Sequence, residues 1–456
     1  MNVIKTHNPF DNSLINEYET FSENKIIETI SHSHAAFLDW KYQAISKRAQ
    51  YVDKAAEVLI KRKDTLAKLI TTEMGKPLAQ SKAEVEKCSL VCHYYAENCE
   101  EFLRNLPIAT EMRESFVTFK PLGVILSIMP WNFPLWQVFR FAIPTLCAGN
   151  TVILKHASNV SGCSLEIEEI FKQAGFPKDT FRSIIIPSTK IPSIIKSNLI
   201  QGVTLTGSTM AGKAVAAIAG ESLKKTVLEL GGSDPYLILK DADLEHAATA
   251  CVKSRLLNAG QSCIAAKRFI ADSSIYEIFK EKVKDKMKKV KLGDPMAIDT
   301  EMGPMARIDL RDNLDIQVQR SIAAGAKCIL GGNISDGAGA FYPPTILENV
   351  TESVPAYYEE LFGPVAVLIK AINEDDAIQI ANKTSFGLGA GVFTRNLQHG
   401  KDIAENRLDA GTCFINDFVR SDPRIPFGGI KESGHGRELS DFGIKEFVNI
   451  KTVVVT

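Results

Sequence analysis

No apolar run in this chain reaches the roughly 18 residues a membrane helix needs. The longest, around 123–131, is short and bounded by proline. The opening residues, from Met1 to Phe10, lack the apolar stretch of a secretory signal. Together these absences give the expectation of a cytoplasmic protein. Charge of one sign is not in excess: 53 Lys and Arg face 54 Asp and Glu, a formal net charge of -1. The chain therefore has no global electrostatic reason to seek nucleic acid or a membrane surface. Nine cysteines, an odd number, are scattered without a CxxC pair. In a long chain without a signal this argues against a disulfide framework and for reduced thiols, most of them buried as small hydrophobes. His93 and His246 have no ligand spacing, so no catalytic metal is expected. Repeats, low-complexity tracts and long flexible linkers are absent, and so is the usual G-x-G-x-x-G dinucleotide fingerprint.

What is present is an ordinary globular composition, 45% hydrophobic and 23% charged, in a chain of 456 residues. That length is too great for one core and implies about two or three structural units. The first third reads as helical. Ile45, Ala49, Val52, Ala56 and Leu59 recur at helical spacing, Leu66 and Leu69 resume the stripe, and Gly75-Lys76-Pro77 ends it. From about residue 113, short apolar runs alternate with helical segments. Strands are predicted at 115–119, 124–129, 151–154, 183–186, 202–205 and 226–230, then at 269–271, 328–330, 365–369 and 412–415. Buried runs of this kind indicate parallel, doubly wound sheets, with a second α/β unit beginning near residue 231. The β-branched run 447–455 would be an aggregation-prone edge if left alone, so it is expected to pair within the chain or across a subunit interface. The lysine-rich segment 280–291 reads as a solvated helix face.

Four short segments suggest chemistry. A strand at 202–205 runs into Thr206-Gly207-Ser208-Thr209, a small-residue turn that lets a pyrophosphate approach a helix N-terminus; an ordinary Ser or Thr helix cap has the same appearance. Cys263 follows a glycine-containing turn in Asn258-Ala259-Gly260-Gln261-Ser262-Cys263, a position for an accessible nucleophilic sulfur or for a buried structural cysteine. Glu229 precedes two glycines at a strand end, where a buried carboxyl has a raised pKa and can act as a base, or can form a salt bridge. Asn132 sits in Pro130-Trp131-Asn132-Phe133-Pro134, whose rings fix the backbone and orient an amide that can serve as an oxyanion donor or simply close a turn.

These segments, with Glu360-Leu361-Phe362-Gly363-Pro364 and Phe427-Gly428-Gly429-Ile430-Lys431-Glu432-Ser433-Gly434, together resemble the aldehyde dehydrogenase superfamily in order and approximate spacing over nearly the whole chain. The resemblance implies an α/β fold with a Rossmann-like dinucleotide-binding domain (1–112 and 123–230), a catalytic α/β domain (231–430) and a small β oligomerisation element (113–122 and 441–456). It implies Cys263 as nucleophile, Asn132 with the Cys263 N–H as oxyanion donors, and Glu229 as general base. For the cofactor it implies Lys155 and Ser158 near the adenosine ribose, Gly207 and Ser208 at the pyrophosphate, and Glu360, Phe362 and Trp131 around the nicotinamide end. A homodimer or homotetramer is the implied assembly.

Members that prefer NAD often carry glutamate at the position of Ser158. A neutral serine beside Lys155 removes repulsion of a 2′-phosphate, so NADP is expected, with NAD possible. His156, where proline is common, reads as a local backbone variation. The segments 229–235, 260–269 and 433–443 look like the succinate-semialdehyde dehydrogenase branch. In that branch Arg140 matches an arginine that binds the substrate's distal carboxylate, Ser421 lies near the position of a pocket serine, and Trp136 and Phe427 are candidate channel walls or core residues. Leu257 stands where some members have a second arginine, and Arg255 is out of register, which leaves glutarate semialdehyde or a broader aldehyde range open. Ala265 stands where some members pair the nucleophile with a second cysteine, so that intramolecular disulfide is impossible. A thioesterase or esterase acting through Cys263, transfer of the acyl group to coenzyme A, and a non-catalytic relative are the competing classes. Glu360 and Phe362 argue against the first, Glu229 against the second, and the joint presence of Cys263, Asn132 and Glu229 against the third.

Overall fold

The computed structural model describes residues 3–456. Its first large sheet has six strands in the order Gly434–His435, Lys225–Glu229, Ile200–Thr206, Val124–Met129, Thr151–His156 and Phe181–Ser183. All pairings are parallel except that of Gly434–His435. The chain moves outward from Val124–Met129 to Phe181–Ser183, then returns to the other side of Val124–Met129 to place Ile200–Thr206 and Lys225–Glu229. This reversal opens a crevice at the carboxyl ends, beyond Met129 and Thr206, where sheets wound in this way take their ligands. Val124–Met129 and Thr151–His156 are buried at every residue, which explains their unalternating apolar character.

The second large sheet orders seven strands as Lys327–Leu330, Thr345–Glu348, Val365–Ala371, Arg268–Asp272, Pro235–Ile238, Gly389–Phe393 and Thr412–Ile415, with only Lys327–Leu330 antiparallel. The predicted α/β character holds, and ten of the predicted strand positions overlap observed strands. Three strands of this sheet escaped the sequence reading: Pro235–Ile238, Thr345–Glu348 and Gly389–Phe393. The first begins on proline, the last contains two glycines, and each is only four or five residues long.

The helical reading of the first third needs a correction. A hairpin of Val3–His7 and Leu14–Glu19 precedes the helices. Exposure along much of both strands hides the alternation that would have announced them. The apolar stripe is also divided: Ile45–Lys61 and Lys63–Met74 are separate helices broken at Arg62, and Gly75, at φ 80°, caps the second. The terminal run pairs within the chain, Val448–Val455 lying antiparallel to Glu114–Pro121 over its whole length, with Leu106–Pro107 on the far side. The lysine-rich helix Tyr276–Lys288 buries Tyr276, Phe279, Val283 and Met287, and its Lys282 and Lys286 pair with Glu245. No helix among the described residues is long and apolar enough to cross a membrane.

Candidate active site

The loop carrying Cys263 is built on strained backbone. Asn258, Ala259 and Gly260 all have positive φ, at 55°, 51° and 74°. For a residue such as Ala259 the left-handed conformation costs about 1–2 kcal/mol. At Gly260 a Cβ would stand 2.2 Å from the Gly363 carbonyl oxygen, so glycine is required on two counts. Side chains hold the turn. Asn258 Nδ2 donates to the Asn132 carbonyl at 2.7 Å, Gln261 Nε2 donates to the Asn258 carbonyl at 3.0 Å, and Gln261 Oε1 accepts the Ala306 N–H at 2.9 Å. Arg255, fully buried, donates to the Gly260 carbonyl and supports the turn instead of facing the substrate space.

Asn132 is fixed to the same turn. Its Nδ2 donates to the Gln261 carbonyl at 2.9 Å and its Oδ1 accepts from Gln137 at 3.0 Å. This leaves one amide N–H without an acceptor. The Cys263 backbone N–H likewise has no partner among the described residues. His156 has more than a local backbone role: its Nδ1 accepts the Ala157 N–H at 2.9 Å, so Nε2 carries the proton and donates to the Pro134 carbonyl at 2.8 Å. Burial depresses its pKa to about 4, against the raising effect of the Pro134 and Met129 carbonyls, so the neutral ring staples the Asn132 loop to the sheet. From the other side, the buried Lys76–Glu84 ion pair presents Glu84 Oε1 to the N–H groups of Leu135 and Trp136, at 2.9 and 3.0 Å.

A cavity of about 220 Å³ opens beside this loop, and Cys263 is the one cysteine on its wall. Trp136, Arg140, Ser421 and Phe427 share that wall, as does Leu257. Asn132 and Glu229 lie behind it. Burial pushes the Cys263 thiol up to about 12, while Arg140 and Lys267 pull it down and Glu360 and Glu229 push it further up. Lys267 is buried and donates to the Ser262 and Cys263 carbonyls, at 3.0 and 2.6 Å. It also lies 3.3 Å from Glu360 Oε1, which accepts the Gly232 N–H at 3.1 Å.

Arg140 reaches the cavity, but its guanidinium is engaged. It forms an ion pair with Glu438, both partners 3% exposed, and its plane lies 4.7 Å from the Phe427 ring centre. Glu229 stands beside this pair. Burial, then the Glu438 charge, raise its pKa well above the ordinary value, against the opposing pull of Arg140, and neither carboxylate oxygen has a hydrogen-bond partner. A buried, unbonded carboxyl of this kind is suited to holding and releasing a proton near neutrality.

The cofactor candidates gather at the crevice of the first sheet. Lys155 ends a buried strand with no ion pair or hydrogen bond, and burial alone depresses its pKa. Such an ammonium lacks a partner that an anionic or hydroxylated ligand would supply. Next to it Ser158 is exposed, and both side-chain polar atoms of Asn159 are buried without partners. Gly207 and Ser208 begin the helix Thr209–Glu221, where the Ser208 hydroxyl accepts the Ala211 N–H at 3.3 Å as an N-cap. Phe362 packs edge-on against Trp131, with ring centres 5.8 Å apart. A Cβ on Gly231 would meet Glu360 Oε2 at 2.5 Å, so glycine there lets this carboxylate in. These features fit a dinucleotide. Among the described residues no group of three or more His, Cys, Asp or Glu side chains is placed to hold a metal ion.

Three residues of this neighbourhood went unassigned in the sequence: Lys87, Lys267 and Glu438. Lys87 had a usable signal, since Gln80, Ala83, Glu84 and Lys87 follow the spacing of one helix face and all line the cavity. Glu438 lies just past the C-terminal motif, but nothing in its spacing points to Arg140.

A model of the aldehyde dehydrogenase family matches residues 1–453. The chain is 46% identical over 450 residues to a Synechocystis protein named "Probable succinate-semialdehyde dehydrogenase", NADP(+) type, covering 99% of each chain. It is 44% identical to the NAD(P)+ succinate semialdehyde dehydrogenase Sad of Escherichia coli, covering 92% of this chain and 90% of that one. The crystal structure of succinic semialdehyde dehydrogenase from Streptococcus pyogenes in complex with NADP+ superposes with a TM-score of 0.97 at 34% identity, covering 99% of both chains.

Proposed function

This chain belongs to the aldehyde dehydrogenase family, and from that premise we propose that it oxidises succinate semialdehyde to succinate with NADP. The observation that carries the reading is a single cavity with a thiol at one place on its wall and cationic and hydroxyl groups elsewhere on it. Cys263 is the nucleophile. Its raised pKa keeps the thiol protonated at neutral pH, so the proton must leave as sulfur attacks the aldehyde carbon. The oxyanion that forms is met by the free Asn132 amide N–H and the Cys263 N–H. Bound in the crevice, NADP supplies a hydride acceptor, the one function that no side chain here provides. Glu229 takes the proton of the water that releases the acid from the Cys263 thioester.

Lys155, Ser158, Gly207 and Ser208 are assigned to the adenosine and phosphate end, and Glu360, Phe362 and Trp131 to the nicotinamide end. The unpartnered Lys155 ammonium and the neutral Ser158 favour a 2′-phosphate. Arg140, Ser421, Trp136 and Phe427 form the substrate wall. The domain boundaries expected from the sequence and a cytoplasmic setting belong to the same reading. So does a homodimer or homotetramer joined through the sheet of Val448–Val455, whose Ile450, Val454 and Val455 are exposed.

The test is steady-state kinetics of the purified protein with succinate semialdehyde, glutarate semialdehyde and acetaldehyde, each with NADP and NAD. A kcat/KM for succinate semialdehyde with NADP far above the other pairs is expected. Equal use of acetaldehyde removes the substrate, while a preference for NAD removes the cofactor assignment. Ser158→Glu should move the preference toward NAD.

A further inference from the structure

Three cations line the cavity wall, Lys87, Arg140 and Arg420, and they differ in what neutralises them; Arg420 pairs with Asp417 at 2.6 Å. Arg140 is closed off by Glu438 and stacked on Phe427. Lys87, on the helix Leu78–Phe102, has no carboxylate within ion-pairing distance. The acidic groups near it are already taken. Glu84 serves Lys76 and the two backbone N–H groups of Leu135 and Trp136. Asp422 is held in a fork by Arg424, at 2.8 and 2.7 Å.

What Lys87 does contact is polar and neutral. Its Nζ donates to Ser421 Oγ at 2.8 Å and sits 4.2 Å from the Trp136 ring centre. The indole N–H of Trp136 donates to the same Ser421 oxygen at 3.1 Å. With both acceptor positions of that oxygen filled, the serine O–H can only point outward as a donor. Two ammonium N–H groups and one hydroxyl hydrogen are thus left facing the cavity, a donor set with no acceptor of its own.

We propose that Lys87, acting with Ser421, is the specificity-determining group that binds the substrate's distal carboxylate, and that Arg140 serves mainly to position Glu438 and Glu229. This rests on the reading that the substrate is a semialdehyde with a distal carboxylate. A carboxylate there completes the Lys87 shell, whereas Arg140 would have to share one already bound to Glu438. A consequence in pH follows. Burial, with Arg140 from the neighbouring helix, brings Lys87 down to about 8, while Cys88 and Glu84 on its own helix and Asp422 on the facing loop oppose the shift. Its charge is therefore lost in an accessible range.

The experiment compares succinate semialdehyde with butanal, which lacks the carboxylate, in the wild-type protein and in Lys87→Met and Lys87→Arg. Lys87→Met should lower kcat/KM for succinate semialdehyde by roughly 10- to 100-fold, mostly through KM, as expected for a lost charged hydrogen bond. Its butanal turnover should stay within a few fold, which also shows that the variant folds. Lys87→Arg should recover much of the loss. In the wild-type protein the ratio of the two kcat/KM values should fall as pH rises through about 8. In Lys87→Arg it should not. Taking the ratio cancels titration of Cys263, which both substrates share. A wild-type protein with no preference for succinate semialdehyde overturns the substrate reading and this assignment with it. A preference that survives in Lys87→Met overturns this assignment alone and returns the role to Arg140.

Discussion

Cys263 is flanked by two sets of charged side chains, one holding the cations Lys267, Arg255 and Arg268 and the other Arg140. On one side Lys267 faces Glu360 and Asp234, and on the other Arg140 faces Glu438 and Glu229. They differ in how their oxygens are bonded. On the lysine side each carboxylate accepts a backbone N–H, from Gly232 or Gly389, and the lysine itself holds the carbonyls on either side of the Ser262–Cys263 peptide. On the arginine side Glu229 has no hydrogen bond at all, and Glu438 has only its ion pair. A bonded buried network fixes geometry, whereas an unbonded one leaves a proton free to come and go. The first cluster reads as the frame of the nucleophile, and the second as the place where protons are handled.

The comparison breaks most sharply at Glu229. In Glu229→Gln, steady-state turnover should fall by roughly 10²- to 10⁴-fold, the range of a lost general base. A rapid first burst of reduced cofactor should persist, seen by stopped-flow absorbance, and resistance to urea should not decline. Unchanged turnover would show that the unbonded carboxylate has no catalytic meaning. Lys267→Met should act on stability instead. Removing one member of a buried ion pair leaves the other charge uncompensated and costs about 3–5 kcal/mol. Urea unfolding would measure it, and a loss below about 1 kcal/mol, the size of one ordinary hydrogen bond, would mean that Lys267 frames nothing.

How much of this could be read in advance depends on the range of the interaction. Val124–Met129 matched its sequence run because local apolar character alone marks a buried parallel strand. Asn132, Glu229 and Cys263 stood out as candidates because each sits in a short distinctive segment. What sequence concealed was pairing across the fold. Arg140 and Glu438 are 298 positions apart, and no local pattern reveals that a conspicuous arginine is already occupied. Lys87 and Ser421 meet across 334 positions, so the cation with fewer commitments went unassigned. His156 was legible as a departure from the family, but its tie to Pro134 depends on two chain segments meeting at the crevice.

The smallest effect expected is in the pH dependence of stability, to which the carboxyls of both clusters contribute with one sign and His156 with the other. Burial, followed by opposing pulls from Lys267 and the Gly389 N–H and a push from Glu360, leaves Asp234 at about 6, up from 3.8. Its folded pKa is raised, so the unfolded chain releases this proton first. Stability from this group is full below 3.8 and is lost as pH rises to about 6. Glu229 is shifted in the same direction, by burial and the Glu438 charge. His156, depressed to about 4, works in the opposite sense, adding stability as pH rises from about 4 to 6.5. The wild-type curve alone therefore mixes opposing slopes. Subtracting it from the curves of Asp234→Asn and Glu229→Gln, from urea midpoints between pH 4 and 8, isolates each group. The gain of each variant over wild type should grow as pH rises, and that of Asp234→Asn should level off near pH 6. If the Asp234→Asn difference slopes the other way, Lys267 already holds that carboxylate ionised, and the lysine cluster is a tighter ion pair than its burial implies.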